Sequence, residues 1–384
     1  MDFDLTATQI LLRDAVKEWA ERIIAPRVRD YSREGRFPRE VLGELAEQGL
    51  FAGPLPEEHG GAGIDYISHG LVAEELSRVC NVVRSFYNVH VSLVALTILG
   101  WGTEAQKKRY LPELAALRKI GCFCLTEPNS GSDAAALGMR AVRQDGRWLL
   151  RGTKMWITNG PVADLGIVFA RTGPAGEDPA ITAFLVEMPA PGLERREIKG
   201  KLGMSAASTG ELSFADVEVP EENVLGEVGH GMRVALSALD HGRYTTAAGC
   251  VGIARACIDA AKKYALERTQ FGRPIASFQL IQEAIADMVT EMEAARLLVY
   301  RAGFLKQQGR RNAREVALAK YFASEMAIRA ASKAIQIHGS YGYSDEYPVE
   351  RFFRDARLNT IVEGTSEVQK LVIGFHELGI RAFT

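Results

Sequence analysis

The chain has 384 residues, 47% of them apolar and 24% charged, with 46 Lys plus Arg against 48 Asp plus Glu. The length asks for two or three domains, the usage excludes a disordered or fibrous chain, and a net charge of −2 leaves no basic excess for a phosphate backbone. Five cysteines (Cys80, Cys122, Cys124, Cys250, Cys257) without metal spacing read as reduced thiols, and no metal site is expected. The opening Asp2-Phe3-Asp4 is acidic where a targeting peptide would be basic, and the most apolar stretch, 89–101, is too short to span a bilayer. A cytoplasmic protein is the expectation.

The first third reads as helices. Thr6 and Gln9 have capping-box spacing, and Leu12, Val16, Trp19 and Ile23 step along one helical face toward Pro26. Further helical periods cover 38–50, 67–78, 89–99 and 104–117. Gly60-Gly61-Ala62-Gly63 has no strand before it and no Lys-Ser or Lys-Thr after it, so it reads as a turn and not a phosphate loop. From Ile120 the period becomes two. Cys122 and Cys124 share one face of a short strand, and Asp145-Gly146 between two short apolar runs signals a hairpin. Runs at 167–171 and 181–187 flank a loop at 172–179, and a last strand at 212–219 ends at Pro220. After Gly229 the helices return and lengthen: 232–268 without a proline, then 278–306, 314–337 and 366–378. Long, largely apolar helices in antiparallel order predict a four-helix bundle with surfaces buried between subunits. The expected fold is α+β, mainly α: an N-terminal α-helical domain (1–119), a middle β domain (120–228) and a C-terminal four-helix-bundle domain (229–384). No dinucleotide-binding glycine motif follows a strand, and neither a Walker A motif nor a nucleophile elbow is present, so any cofactor is held otherwise.

Four segments carry chemistry. Leu125-Thr126-Glu127-Pro128-Asn129-Ser130-Gly131-Ser132-Asp133, with Lys154-Met155-Trp156-Ile157-Thr158-Asn159, would suit a flat heteroaromatic ring, its edges hydrogen-bonded and its face covered by indole. Read apart from the rest, these are a polar strand-to-turn link and a core Trp. Arg268-Thr269-Gln270-Phe271-Gly272 could clamp a diphosphate, or place a cation at a helix C-terminus. Gln336-Ile337-His338-Gly339 is a glycine turn between helices. Ile361-Val362-Glu363-Gly364-Thr365 puts one carboxylate where a helix begins, as a base or as first-turn dipole compensation.

Together and in this order the segments resemble the acyl-CoA dehydrogenase family of flavoproteins over essentially the whole chain. The resemblance implies the three-part fold already read, a homotetramer (a dimer of dimers), FAD bound partly across a subunit interface, and a place in fatty acid β-oxidation. Phe123, Leu125, Thr126, Gly131 and Ser132 would line the flavin ring, with Trp156 and Thr158 against it. Arg268, Gln270 and Phe271 would reach the FAD diphosphate of a neighbouring subunit, Gln279, Gln336 and Gly339 would complete that site, and Thr365 would touch the flavin or its pyrophosphate. The family usually has a second glycine where Ser340 stands, a cost if that backbone is left-handed. Ser132, Asp240, Arg243 and Gly364 would contact substrate, Asp240 and Arg243 gripping CoA, with a plain i, i+3 ion pair as their competing account.

The resemblance makes Glu363 the base for the pro-R α-proton while the β-hydride goes to flavin N5. The thioester oxygen would be held by the Glu363 backbone N–H and a ribityl hydroxyl. Some members carry the base on the long helix, at the position of Gly242 here. The expected product is a trans-2-enoyl-CoA from a short or branched acyl-CoA, and the electrons would pass to an electron-transfer flavoprotein. Arg84-Ser85 ahead of Asn88-Val89-His90 resembles the segment where glutaryl-CoA dehydrogenases hold a distal carboxylate, although Ser77 stands where they have a glutamate. Arg84 as a helix cap or a solvent-facing residue is the alternative. A carboxylate-bearing or aromatic acyl-CoA, an oxygen-using oxidase or monooxygenase on this fold, and a non-catalytic thioester-binding protein are the other readings.

Overall fold

A computed structural model describes residues 4–173 and 180–382. Helices α1 (Ala7–Trp19), α2 (Val28–Glu34), α3 (Arg39–Glu47), α4 (Tyr66–Val79), α5 (Asn81–Tyr87), α6 (Leu96–Trp101) and α7 (Glu104–Ala115) come first. The capping box forms at Thr6: its hydroxyl accepts from the Gln9 N–H, and the Gln9 side chain accepts from the Thr6 N–H. Helix α1 runs past Trp19 in a π-helical turn, Ala20–Ile24, before the chain breaks around Pro26.

The apolar stretch near residue 90 is longer than its composition predicts. A π-helical segment, Asn88–Ala95, joins α5 to α6 into one helix of 21 residues, Asn81–Trp101. That is enough by length and composition to cross a bilayer, and it corrects the expectation of a stretch too short. Here 89% of its most apolar window is buried inside the fold.

The middle of the chain is a twisted sheet. Its strands are β1 (Gly121–Cys124), β2 (Arg140–Gln144), β3 (Arg147–Thr158), β4 (Leu165–Thr172), β5 (Ala180–Glu187), β6 (Leu193–Glu197), β7 (Thr209–Pro220) and β8 (Val224–Leu225). Their order is β6-β7-β3-β2-β4-β5-β8, with β1 parallel to β4. Asp145 (φ 51°) and Gly146 (φ 75°) turn β2 into β3, as an Asp-Gly pair does in a tight hairpin. Cys122 Sγ and Cys124 Sγ lie 3.5 Å apart on one face of β1. Of the loop expected at 172–179, residues 174–179 lie outside the described residues.

Four long helices follow: α8 (Gly231–Glu267), α9 (Gln279–Gln307), α10 (Ala313–His338) and, after the short α11 (Val349–Leu358), α12 (Ser366–Leu378). Between α8 and α9 a tiny hairpin, β9 (Thr269–Gln270) with β10 (Arg273–Pro274), carries Phe271 at its tip. Among the described residues four apolar cores result: one between the N-terminal helices and the sheet, one inside the bundle, one where residues of the 81–101 helix, α7, α8 and the sheet meet, and a small one of Val89, Leu93 and Ala238 with half-buried Phe123.

Candidate functional site

The carboxylate of Glu363 is buried where the 81–101 helix, α8 and α10 converge. Residues 363 and 364 are both left-handed (φ 58° and 89°), so the chain doubles back before α12 starts. Glu363 is therefore not a first-turn residue: Thr365 caps the helix, its hydroxyl accepting from the Val368 N–H, and Glu363 turns inward. Three side chains hold the reversal. Arg243 Nε donates to Glu363 O at 2.9 Å, Gln369 Nε2 to Gly364 O at 2.9 Å and Lys320 Nζ to Gly364 O at 2.8 Å. These contacts offset the roughly 1–3 kcal/mol that a non-glycine residue costs in such a conformation.

The two carboxylate oxygens differ. Oε1 accepts from Asn88 Nδ2 at 2.5 Å and from Thr246 Oγ1 at 3.3 Å. Oε2 is buried and has no partner. A Cβ built on Gly242 would lie 2.2 Å from Oε2, so α8 must carry a glycine there for the carboxylate to fit. Burial raises the Glu363 pKa, against the Asn88 hydrogen bond and the charges of Arg84, Lys320 and Arg243, which hold it down. A carboxylate so placed, with one free oxygen in a dry site, has the surroundings that general-base chemistry needs. The Glu363 backbone N–H also donates to nothing within the described residues.

Asp240 and Arg243 form the ion pair their spacing allows, at 3.2 Å, while Arg243 also reaches Glu363 O. Burial raises the pKa of Asp240 against the pull of Arg243. Arg84 is 2% exposed, which overturns the solvent-facing alternative. Its guanidinium donates to Asn81 Oδ1 at 2.6 and 3.0 Å, Asn359 Oδ1 at 2.8 Å and Thr246 Oγ1 at 3.4 Å, all neutral acceptors. Thr246 and Asn88 thus link Arg84 to the Glu363 carboxylate.

On the sheet, the pairing of β3 with β7 breaks between Lys154 and Ile157, and in that bulge Trp156 takes φ 62° and is 56% exposed. The Met155 N–H donates to Thr126 O at 2.9 Å, bringing the 125–133 loop against the bulge. A buried ion pair fixes that loop: Lys154 Nζ donates to Glu127 Oε1 at 2.7 Å and to Leu125 O at 3.0 Å, and Glu127 Oε2 accepts from the Gly138 N–H at 2.6 Å. Leu125 is buried, Phe123, Thr126 and Thr158 are half-buried, and Gly131 and Ser132 are exposed. An exposed indole beside free hydroxyls and backbone is the surface a flat ring needs.

The other predicted set lies at one end of the bundle. Arg268 lies over the Tyr341 ring at 5.9 Å, joining the 268–272 hairpin to the turn after α10. Arg268, Gln270, Gln279, Gln336 and Gly339 are all exposed there, and Phe271 is 93% exposed. Gly339 is left-handed (φ 61°) but Ser340 is not, so the expected cost at Ser340 is absent. No described hydrogen bond, ion pair or ring contact joins this patch to Trp156 within the chain.

Family models for the acyl-CoA dehydrogenase N-terminal, middle and C-terminal domains match residues 6–118, 122–217 and 229–377. The chain belongs to the acyl-CoA dehydrogenase family. It is 43% identical to an acyl-CoA dehydrogenase of Bacillus subtilis over 98% of this chain and 99% of that one. It is 42% identical to a glutaryl-CoA dehydrogenase of Desulfococcus multivorans over 99% of each. The structure of butyryl-CoA dehydrogenase from Megasphaera elsdenii superposes with a TM-score of 0.96 at 41% identity, over 98% of this chain and 100% of that one. Members are FAD-dependent oxidoreductases acting on acyl-CoA, and the bulged indole with its hydroxyl-rich loop fits that cofactor.

Sequence reasoning missed Asn88, Thr246, Lys320 and Gln369. Thr245-Thr246 interrupts a run of small apolar residues on α8 and was a readable sign; Lys320 and Gln369 carried none.

Proposed function

We propose that the protein removes the α-proton and β-hydride of a short or branched acyl-CoA thioester to give the trans-2-enoyl-CoA, with Glu363 as the base. The observation that carries this is the unpartnered, buried Oε2 of Glu363 opposite Gly242. Bound FAD supplies the acceptor for the hydride. Glu363 takes the proton on Oε2, and its free backbone N–H is available to a thioester oxygen, where a preorganised donor stabilises developing enolate charge. Arg243 and Asp240 would grip CoA, with Ser132 and Gly364 beside it. Phe123, Leu125, Thr126, Gly131, Ser132, Trp156, Thr158 and Thr365 would hold the flavin, with Arg268, Gln270, Phe271, Gln279, Gln336 and Gly339 on the same cofactor from a second subunit. The exposure of Phe271 and of the Arg268, Gln270, Gln279 and Gln336 patch around it supports a homotetramer. An electron-transfer flavoprotein as acceptor and a cytoplasmic setting for the free cysteines belong to the same proposal.

Glu363→Gln should keep bound FAD and lose nearly all bleaching of the flavin by acyl-CoA under anaerobic conditions; normal bleaching in that variant would refute the assignment. A second reading rests on Arg84, a buried cation with only neutral hydrogen-bond acceptors near the base, which favours a carboxylate-bearing acyl-CoA. Anaerobic titration with butyryl-CoA and glutaryl-CoA decides between the two by which one bleaches the flavin. Turnover with oxygen as sole acceptor would point to the oxidase reading instead.

A further inference from the structure

Six side chains form one unbroken line of hydrogen bonds that ends on Glu363. Tyr87 Oη lies 2.7 Å from His69 Nδ1, and His69 Nε2 lies 3.0 Å from Ser92 Oγ. Ser92 Oγ is 3.2 Å from Thr245 Oγ1, which is 2.6 Å from Asn88 Oδ1, and Asn88 Nδ2 is 2.5 Å from Glu363 Oε1. The five residues before Glu363 are each at most 2% exposed.

Counting protons fixes the direction of every link. A carboxylate only accepts, so Asn88 turns its NH2 to Glu363 and its Oδ1 to Thr245. Thr245 then donates its single proton to Asn88 and accepts from Ser92. Ser92 in turn accepts from His69 Nε2–H, which leaves Nδ1 to accept from Tyr87. The line needs a neutral His69 protonated on Nε2, and burial keeps that imidazole neutral, its pKa pushed down to about 3. A carboxamide passes no proton along such a line. Its use is orientation.

We propose that Asn88 is a positioning residue for the reaction: held by the line from Tyr87 through His69, Ser92 and Thr245, it pins Oε1 of Glu363 and leaves Oε2 as the oxygen that takes the α-proton. The step breaks the α C–H bond, leaves its electron pair on the α-carbon and forms O–H at Oε2. The inference rests on the reading of Glu363 as base. The charged groups facing Glu363 are Arg84 from α5, Arg243 from α8 and Lys320 from α10, with the Cys250 thiol beside Arg84 and Lys320.

The test is rapid anaerobic mixing of the FAD-loaded enzyme with whichever of butyryl-CoA and glutaryl-CoA bleaches it, across pH. Asn88→Ala should lower the limiting rate of bleaching about tenfold or more, the weight of a hydrogen bond to a charged group. It should also raise the pH midpoint of that rate by about one unit, because a bond favouring the carboxylate is gone. Half-saturating acyl-CoA should change less than twofold. An unchanged rate and midpoint would overturn the proposal, and so would a slower rate with an unmoved midpoint, which is mere loss of structure. Thr245→Val keeps its shape but leaves Asn88 Oδ1 without a donor. It should move rate and midpoint the same way by less, and it decides the matter if Asn88→Ala fails to retain FAD. Glu363→Gln is run beside them. Bleaching in that variant sinks the base itself, whereas its loss with Asn88→Ala and Thr245→Val both normal sinks only the positioning role.

Discussion

Glu363 and Gly242 are two halves of one arrangement. The carboxylate enters α8 at the point where that helix has no side chain, and a methyl group there would stand 2.2 Å from Oε2 and 2.7 Å from Leu93 Cδ2. Gly242→Ala should therefore push the carboxylate aside and, on the proposed role of Glu363, cut acyl-CoA-dependent bleaching by about a hundredfold, the range over which a positioned base contributes, with FAD content kept; full activity in that variant would mean that Oε2 is not the working oxygen. The Glu363-Gly364-Thr365 motif was legible as a sequence, and so was the absence of a rival base at Gly242. Its shape was not. A left-handed glutamate is something backbone propensity argues against, and only the donors Arg243, Gln369 and Lys320, distant in the chain, make it stable. Asn88 was passed over for the same reason, because its partners Thr245 and Glu363 are remote in sequence.

Helix α8 lies against α4 more closely than side chains usually permit. A Cβ on Gly252 would sit 2.1 Å from the carbonyl oxygen of Glu74, and one on Gly249 2.8 Å from Arg84 Nε. The small residues of α8 were readable as a packing surface, though which helix they would meet was not. Gly252→Ala forces backbone against backbone, and overpacking of this kind costs on the order of 1–3 kcal/mol. The thermal midpoint should fall by several degrees without a shift in the flavin spectrum, as a melt monitored by circular dichroism would record; an unchanged midpoint would mean that the helices part easily. The long helices and the Asp-Gly hairpin were plain from period and turn chemistry. Helix α11 was not, because Glu350, Arg351, Arg354, Asp355 and Arg357 mask the Val349, Phe352 and Ala356 stripe that the bundle covers. The π-helical stretches leave no mark in hydrophobic period either.

Across the whole molecule, buried histidines tie stability to pH. Burial holds the His69 pKa to about 3 and the His90 pKa to about 4, and His241 is also lowered. A depressed folded pKa means stability that is complete above the unfolded value near 6.5 and is lost as pH falls toward the folded one, since the unfolded chain takes up protons first. The thermal midpoint should fall between pH 7.5 and 5.5, each histidine contributing up to about 1.4 kcal/mol per pH unit below 6.5. A flat profile over that window would show those imidazoles to be solvated. The order of helical, sheet and helical parts was legible throughout, since each is set by local period; the polar seam that joins them depends on contacts between parts and was not. The helix at 81–101 spans that seam, and its wide turn at 88–95 holds more residues than ordinary winding would need. Each residue of an α-helix advances the side chains by about 100° and each residue of a wider turn by less, so the surplus residue is taken up without changing the phase between the helix's two ends. Taking one out, such as Val91, would let the helix wind regularly with Arg84 still facing Glu363, which makes the spare residue a local widening of the backbone and not what sets that face.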